Sequence, residues 1–431
     1  MFNLKENDSW TYIKLGDIVT VKHGYAFKGS NFTSVNTHKV VLTPGNFKIG
    51  GGFKSEKFKF TTEECPSEYV LQGGDIVVSM TDLSKYGDTL GYSALIPKDS
   101  RYKYLHNQRI GLIKFKKEDV SRDFIYWVLR TRDFNRFLAG SATGSTVKHT
   151  SPSIIGEYHF MIPNNISEQD SISKILSDLD AKIELNQKMN KTLESIAEAI
   201  FKHWFIDFEF PNEEGKPYKS SGGEMVDSEL GEVPKGWQAS TIGKELTTVL
   251  GGTPSTKNKD YWSNGSIPWI NSGKINEFRI IFPSAYITAK ALKHSATKLM
   301  PKGTTVLAIT GATLGKVSRI ETEMCANQSV VGVLGSEKLP SEYVYFWIKN
   351  NINRLVSNQT GGAQQHINKG NIDEIEILVP DSHIMEHYVN TIRPIFDKIS
   401  ASSFEEHNLS KIRDIVLPKL MTGKIRVPLE E

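Results

Sequence analysis

The chain has 431 residues, 39% of them hydrophobic and 23% charged, a balance that excludes a disordered tail, a collagen and a coiled-coil rod. Its length suggests about two to four domains, and Lys+Arg 52 against Asp+Glu 49 leave +3, a net charge that names no partner. Cys65 and Cys325 stand far apart with no CxxC between them, so no disulfide framework or zinc site is encoded.

In chain order, the opening MFNLKENDSW lacks the apolar run of a signal peptide. No stretch approaches 18 apolar residues, the length a membrane helix needs. A reducing cytoplasm is the expected location. Short Val- and Ile-rich runs punctuated by Gly, Pro and Asn predict strands at Asp17–Lys22, Asp75–Met80 and Ile110–Phe115. A helix is expected over Ser121–Leu138, with Phe124, Trp127 and Phe134 facing the core. A longer helix begins near Ser167, with Asp170 three residues on as a capping pair. Its apolar positions Ile172, Ile175, Leu179, Ile183, Met189, Leu193, Ile196, Ile200 and Trp204 approach a heptad seam with a gap at Asn186. The stretch from Phe210 to Trp237 is polar and rich in Gly, Pro, Ser and Glu, and reads as a linker. Strands are expected again at Thr304–Ile309 and Val330–Leu334, and a helix at Ser341–Val356 with Tyr343, Phe346 and Trp347 inward. The closing helix runs through Val389, Ile392, Ile395, Ile399, Leu409, Ile412 and Val416. Pro394 is expected to kink it or mark its start, and Pro418 and Gly423 to end it.

The chain repeats itself. WTYIKLGDIVTVKHG from Trp10 matches WQASTIGKELTTVLGG from Trp237, and GDIVVSMT from Gly74 matches GTTVLAIT from Gly303. Asn107-Gln108 recurs as Asn327-Gln328, DFIYWVLR as EYVYFWIK, TGSTVKH as TGGAQQH, and LESIAEAIF as LSKIRDIVL. The order is the same in both halves, and so long a period means duplicated domains, not a solenoid. The expected fold class is α+β: two duplicated mixed α/β globular domains joined by two long antiparallel helices in coiled-coil-like packing, related by a pseudo-two-fold. The boundaries read 1–165 and 236–381 for the globular domains, 166–209 and 382–431 for the helical spacers, and 210–235 for the linker. The helix-packing residues are Ile172, Leu179, Ile183, Leu193, Ile196 and Ile200 against Ile392, Ile399, Leu409, Ile412 and Val416.

Catalytic motifs are missing. There is no G-x-x-x-x-G-K-[ST], no H-E-x-x-H, no G-x-S-x-G and no clustered His/Cys set. No Pro-Pro dipeptide exists, which removes the amine-holding motif of amino-methyltransferases. Glu214 and Lys216 form an E-x-K, but within the linker and without a partnering Asp. No catalytic, metal or cofactor site is expected in this chain.

The charge is segregated. Between Arg101 and Lys148, Arg101, Lys103, Arg109, Lys114, Lys116, Lys117, Arg122, Arg130, Arg132, Arg136 and Lys148 face only Glu118, Asp119, Asp123 and Asp133. Between Arg279 and Arg319 seven Lys/Arg stand with no acid. A basic tract in each half suits a polyanion, because released counterions drive association. Asn and Gln can pair with adenine, and Arg or Lys with guanine. On that basis the candidate DNA-binding residues of the first half are Lys22, His23, Tyr25, Lys28, Thr81, Asp82, Lys85, Thr146, Lys148 and His149. Those of the second half are Thr253, Ser255, Lys257, Thr310, Thr313, Lys316, Gln364, Gln365 and His366. Asn107-Gln108 and Asn327-Gln328 fit either base reading or a shared structural hydrogen bond.

ILSDLDAKIELNQKMNKTLESIAEAIFKHWFIDF, then LGEVPKGW, and at the end LSKIRDIVLPKLMTGKIRV, resemble the specificity subunit of type I restriction-modification enzymes over essentially the whole chain. GTTVLAITGATLGKV and TGGAQQHI resemble the common second-domain pattern, from which SMTDLSKYGDTLGY and TGSTVKHT of the first half depart. The resemblance implies a non-catalytic reader of double-stranded DNA. Each globular domain would be a target recognition domain for one part of a bipartite, asymmetric site. The helices would set the gap and dock two modification (methyltransferase) subunits, with restriction/motor subunits joining through the complex. S-adenosylmethionine, ATP and magnesium would belong to those partners. Two alternatives stand beside it: a specificity partner in a related defence or single-methylase system, and a nuclease or methylase in its own right.

Overall fold

Trp10 and Trp237 each open the same construction. Trp10–Lys14 pairs antiparallel with His159–Pro163, and Gln238–Thr241 pairs antiparallel with Glu376–Val379, so the first and last strands of each globular domain close on each other. The structure, a computed structural model, describes residues 9–82, 87–144, 147–358 and 367–428. The chain divides into two compact units, one of residues 1–182 with 409–431 and one of residues 183–408.

In the first unit a four-stranded antiparallel sheet runs Val19–His23, Ile110–Phe115, Ile76–Ser79, Ser93–Leu95. Leu112 sits opposite both Lys22 and Val77. A second sheet runs Phe32–Thr33, Lys59–Thr61, Lys39–Val41, Lys103–Leu105, with its last pair parallel. In the second unit the first sheet returns as Thr248–Leu250, Val330–Val333, Thr305–Ala308, Val317–Arg319. Its second sheet runs Ala285–Ile287, Ile267–Ile270, Met324–Ala326, Leu299–Met300, again with one parallel pair, Trp269 opposite Cys325. The duplication read from the sequence is therefore a duplication of topology.

The inward aromatics fall where the helical period puts them. Phe124, Trp127, Phe134, Tyr343 and Phe346 are all fully buried. The expected helix over Ser121–Leu138 is two helices, Arg122–Val128 and Arg132–Ser141. The cause is a second cap: Ser121 Oγ accepts from the Phe124 amide and Thr131 Oγ1 from the Phe134 amide, so Thr131 restarts the helix. In the second unit Ser341–Asn358 is continuous.

The first long helix spans Ile166–Phe205 and the second Ser382–Leu420. The first is capped by Asn165, whose side chain accepts from the Ser167 amide at 2.8 Å; Ser167 lies inside the helix and is not the cap. The second passes through Pro394 without a break. Pro394 lies on an exposed stretch with Asn390, so the carbonyl that proline leaves unpaired one turn back opens to water.

Within each unit, segments of the two helices run antiparallel. In the first, Asp180 meets Arg413, while Ile172, Leu176, Leu417 and Leu420 share one core. In the second, Asn186 bonds Glu405, Asn190 bonds Ser403 and Trp204 packs on Tyr388. The seam differs from its sequence reading at three positions: Ile175, Ile196 and Ile412 are 39%, 44% and 48% exposed. Ile172, Ile183, Ile392 and Ile399 are buried, and Leu179, Leu193, Ile200, Leu409 and Val416 half-buried. Ala197 and Phe201, fully buried, take the inward place that Ile196 was expected to fill.

The polar linker is ordered. Met225–Ser228 and Gly231–Pro234 form a hairpin. Phe210 stacks on Trp237 at 5.1 Å between ring centroids and on Tyr218 at 4.5 Å. Three residues beyond each long helix the backbone turns left-handed, at Phe208 (φ 60°) and Gly423 (φ 67°), the turn that ends helices. Phe208 then packs on Trp237, and Gly423 lies against Trp10. The few apolar residues of the linker suffice because Trp237 supplies the surface they bury.

Candidate nucleic-acid interface

The candidate residues gather along one edge of the first sheet in each unit, held by backbone bonds. In the first unit the Gln108 amide donates to the Tyr25 carbonyl, the Met80 amide to Arg109, and the Thr150 amide to Met80. In the second the Gly252 amide donates to Ala326, Ile309 to Ser329, and Ile367 to Ile309. The loops after the first strand, after the NQ dipeptide, after the central strand and around His149 or Ile367 therefore lie side by side in both units.

Asn107 and Asn327 are structural. Their side-chain oxygens accept from the Arg109 amide at 2.9 Å and the Ser329 amide at 3.1 Å, the local turn that asparagine favours. The neighbouring strand ends in glycine for a steric reason. A Cβ on Gly24 would lie 2.2 Å from the Asn107 carbonyl oxygen, and one on Gly251 2.1 Å from that of Asn327. The turn leaves Gln108 and Gln328 exposed. In the second unit the Thr253 hydroxyl donates to the Gln328 side-chain oxygen, which leaves the Gln328 amide nitrogen to donate outward.

The remaining candidates divide by environment. His23, Lys28, Thr253, Ser255, Lys257 and Lys316 are exposed, and Tyr25, Lys148, Thr310 and Thr313 half-buried. His149 is exposed with Nδ1 3.1 Å from the Thr81 hydroxyl. Burial first, and then the Glu63 carboxylate, raise the pKa of Tyr25, so its hydroxyl is a neutral donor. Lys28 lends its backbone amide to Glu63, and Ser255 its carbonyl to the Trp262 indole.

Three of the candidates are engaged within the fold. Thr81 and Asp82 are each 3% exposed. Thr81 holds His149, and Asp82 accepts from the Thr89 amide and hydroxyl. These two order the edge instead of facing outward. Lys22 lies in the strand with its ammonium 3.8 Å from Glu68 and 4.6 Å over the Tyr69 ring, so it is a braced cation. Lys85, Thr146, Gln364, Gln365 and His366 lie outside the described residues.

Part of each basic tract belongs to the interior. Arg130, Arg279 and Arg319 are 4%, 4% and 6% exposed. Arg130 bonds Asp180, Arg279 bonds Glu194 at 2.6 Å, and Arg319 bonds Glu321 at 3.0 Å. Arg109, Lys114, Arg132, Arg136, Lys293, Lys298, Lys302 and Lys316 remain exposed. The partner carboxylates lie outside the tracts, Asp180 and Glu194 on the first long helix and Glu321 just past the second tract, so the tracts looked poor in acids. Glu214 and Lys216 pair at 2.8 Å on an exposed turn built on Asn212. No helix among the described residues is long and apolar enough to cross a membrane.

The sequence model of the family described as the type I restriction modification DNA specificity domain matches residues 7–195 and again 234–407. Those two matches coincide with the two copies of the fold, and the chain belongs to this family. It is 28% identical over 315 residues to the MjaIX specificity subunit of Methanocaldococcus jannaschii, spanning 72% of this chain and 71% of that one. It is 25% identical over 406 residues to the HindI specificity subunit of Haemophilus influenzae, spanning 79% and 87%. The crystal structure of a type I restriction-modification S subunit from M. genitalium aligns over 97% of this chain and 98% of that one, with a TM-score of 0.61 at 14% identity; the likeness is one of fold.

Proposed function

We propose that this chain is the DNA sequence-specificity subunit of a type I restriction-modification complex, with each unit reading one part of a bipartite, asymmetric site. The observation that carries the reading is the repeated loop edge: the same glycine, Asn-Gln turn and neighbouring loops in two copies of one topology, with different polar side chains upon it. A shared frame with variable side chains is what two half-sites of different sequence require. The exposed cations beside each edge supply phosphate contacts.

The chain reads and does not catalyse. Methylation and cleavage belong to partner subunits, which bring S-adenosylmethionine, ATP and magnesium, and the location is the cytoplasm with the DNA. Two modification subunits dock on the helical segments. Exposed apolar residues support this: Ile175, Ile412 and Ile415 in the first unit, Leu185 and Ile196 in the second. In the first unit Ile175, Leu179, Leu409, Ile412, Val416 and Leu420 line an open groove of about 590 Å³, and apolar grooves of this kind mark interaction surfaces.

The test is exchange of residues 236–381 for the corresponding domain of a relative, followed by methylation mapping with the modification subunits present. One half of the methylated site should change and the other stay. A change in both halves would overturn the modular reading.

A further inference from the structure

The antiparallel helix segments of the second unit carry a polar layer where a heptad seam calls for apolar side chains. Ile183, Asn186, Asn190 and Leu193 follow the alternating spacing of three and four that faces a partner helix. Asn186 and Asn190 are 0% and 2% exposed. The Asn186 side-chain amide donates to Glu405 at 2.9 Å and that of Asn190 to the Ser403 hydroxyl at 3.3 Å. Ser403 in turn donates to the Ile399 carbonyl at 2.7 Å, so its hydroxyl is already oriented to accept. The side-chain oxygens of Asn186 and Asn190 find no hydrogen-bond partner among the described residues. This layer is a poor source of stability, since buried acceptors without donors oppose folding.

Its value lies in discrimination. An apolar seam tolerates sliding by a turn, because isoleucine and leucine pack against one another in several registers. Slid by one turn, Asn186 would come opposite Ser403 while Asn190 faced the Ile399 region, so one buried amide would be left without a partner against apolar side chains. We infer that Asn186 and Asn190 lock the register of the helix pair, and through it the gap length that the complex accepts. The second clause rests on the DNA-reading function proposed above. The first long helix joins the two globular domains in the chain, and the second begins after the second domain and ends with Leu417, Leu420 and Met421 in the core of the first, so sliding one helix along the other alters the spacing the half-sites must match. One turn is about 5.4 Å, against about 3.4 Å per base-pair step; a one-turn slip therefore corresponds to one or two base pairs.

The experiment compares the wild-type chain with Asn186→Leu/Asn190→Leu, and with Asn190→Leu alone should the double variant misfold, each assembled with its modification subunits. Spin labels at exposed Lys191 and Lys398, with Cys65 and Cys325 replaced, report the register without DNA. Binding to sites whose gap is lengthened or shortened by one and two base pairs reports the consequence. The wild type should give a single label distance. The variant should broaden or split it by about 5 Å and lose about tenfold of its preference for the native gap, with half-site base preference intact. A single, unmoved distance in a folded variant overturns the lock. A split distance with unchanged gap preference keeps the lock and overturns the spacing role. Loss of preference for the half-site bases themselves would count against the DNA-reading assignment.

Discussion

In the first unit Asp180, on the first long helix, lies between Arg130 of the globular domain and Arg413 of the second long helix. In the second unit Glu194, on the same first helix, accepts from Arg279, Tyr345 and Lys349, all of the globular domain. The alignment that pairs DFIYWVLR with EYVYFWIK puts Arg130 opposite Lys349 and Tyr126 opposite Tyr345. The alignment that sets Leu193 against Leu409 puts Phe396 opposite Asp180. Phe396 is buried with the Arg279 guanidinium 5.5 Å from its ring centre. Each joint between globular domain and helix thus holds a buried arginine against a helix carboxylate, but neither the arginine nor the carboxylate sits at the aligned position in the two units. A cation on a domain needs a counter-charge nearby, but the fold does not dictate which helix position supplies it.

The two joints should differ in strength. Burial opposes ionisation of Glu194, yet Arg279 and Lys349 hold its pKa below the ordinary carboxylate range, and Arg130 and Arg413 do the same for Asp180. Glu194→Ala takes a partner from three groups at once: Tyr345, Lys349 and Arg279, whose side chain is 1% exposed and keeps the Phe278 carbonyl at 2.9 Å, the Tyr345 hydroxyl at 3.1 Å and Glu321 at 3.4 Å. The expected cost is about 3–5 kcal/mol of stability. Asp180→Ala leaves Arg130 bonded to the Gly50 carbonyl at 3.0 Å and the Tyr126 hydroxyl at 3.1 Å, and Arg413 to Asp414, so the cost should be nearer 1–3 kcal/mol. Chemical denaturation of the two variants measures both. An Asp180 effect equal to that of Glu194 would break the comparison.

A second contrast lies under the reading edges. His106 is fully buried beside Asn107 in the first unit, where the aligned residue of the second is Ala326. Its Nε2 donates to the Ile110 carbonyl at 2.8 Å. Burial, above all, lowers its pKa from 6.5 to about 4. The unfolded chain therefore takes up a proton that the folded chain refuses. The stability from a neutral His106 is fully present above pH ~6.5 and is lost as pH falls toward 4, to the extent of about 3 kcal/mol. Acid should loosen the first unit before the second. Amide hydrogen exchange between pH 7 and 4 resolves the two units, and His106→Ala should flatten the dependence of the first. Equal acid sensitivity in both would show that carboxylates, not this imidazole, govern it.

The same contrasts explain what a reading of the sequence recovers. Strands such as Ile110–Phe115 and Val330–Val333 and the two long helices are legible because their apolar period is set by local burial. The repeat is legible because both copies keep the glycine before the edge and the Asn-Gln turn, each under a steric or hydrogen-bond constraint. Thr131 as a second cap, Pro394 inside a helix and the ordered linker were not, because each depends on what lies alongside in space. Arg130, Arg279 and Arg319 count as surface charge until Asp180, Glu194 and Glu321 are seen against them. Ile196 and Ile412 match the heptad yet point outward, since a 3.6-residue helix drifts from a 3.5-residue repeat.

The smallest expected effect separates the two reading edges by charge. Leu90-Gly91 aligns with Leu314-Gly315, and both glycines are left-handed, at φ 81° and 77°. The next residue is Tyr92 in the first unit, 6% exposed, and Lys316 in the second, exposed and without an ion pair among the described residues. The second edge therefore presents a cation where the first presents packing. Lys316→Ala should weaken DNA binding to cognate and unrelated sequences alike and reduce the salt dependence, as log K against log[salt], by about 0.9. The first unit should respond in the same way only at a different position, Arg109, which is exposed beside Gln108. Binding titrations of the assembled complex over a salt series decide it. A Lys316 variant that keeps its slope but loses one base of its half-site would make this lysine a base reader, and the two edges would then differ in how they read and not only in how they hold the backbone.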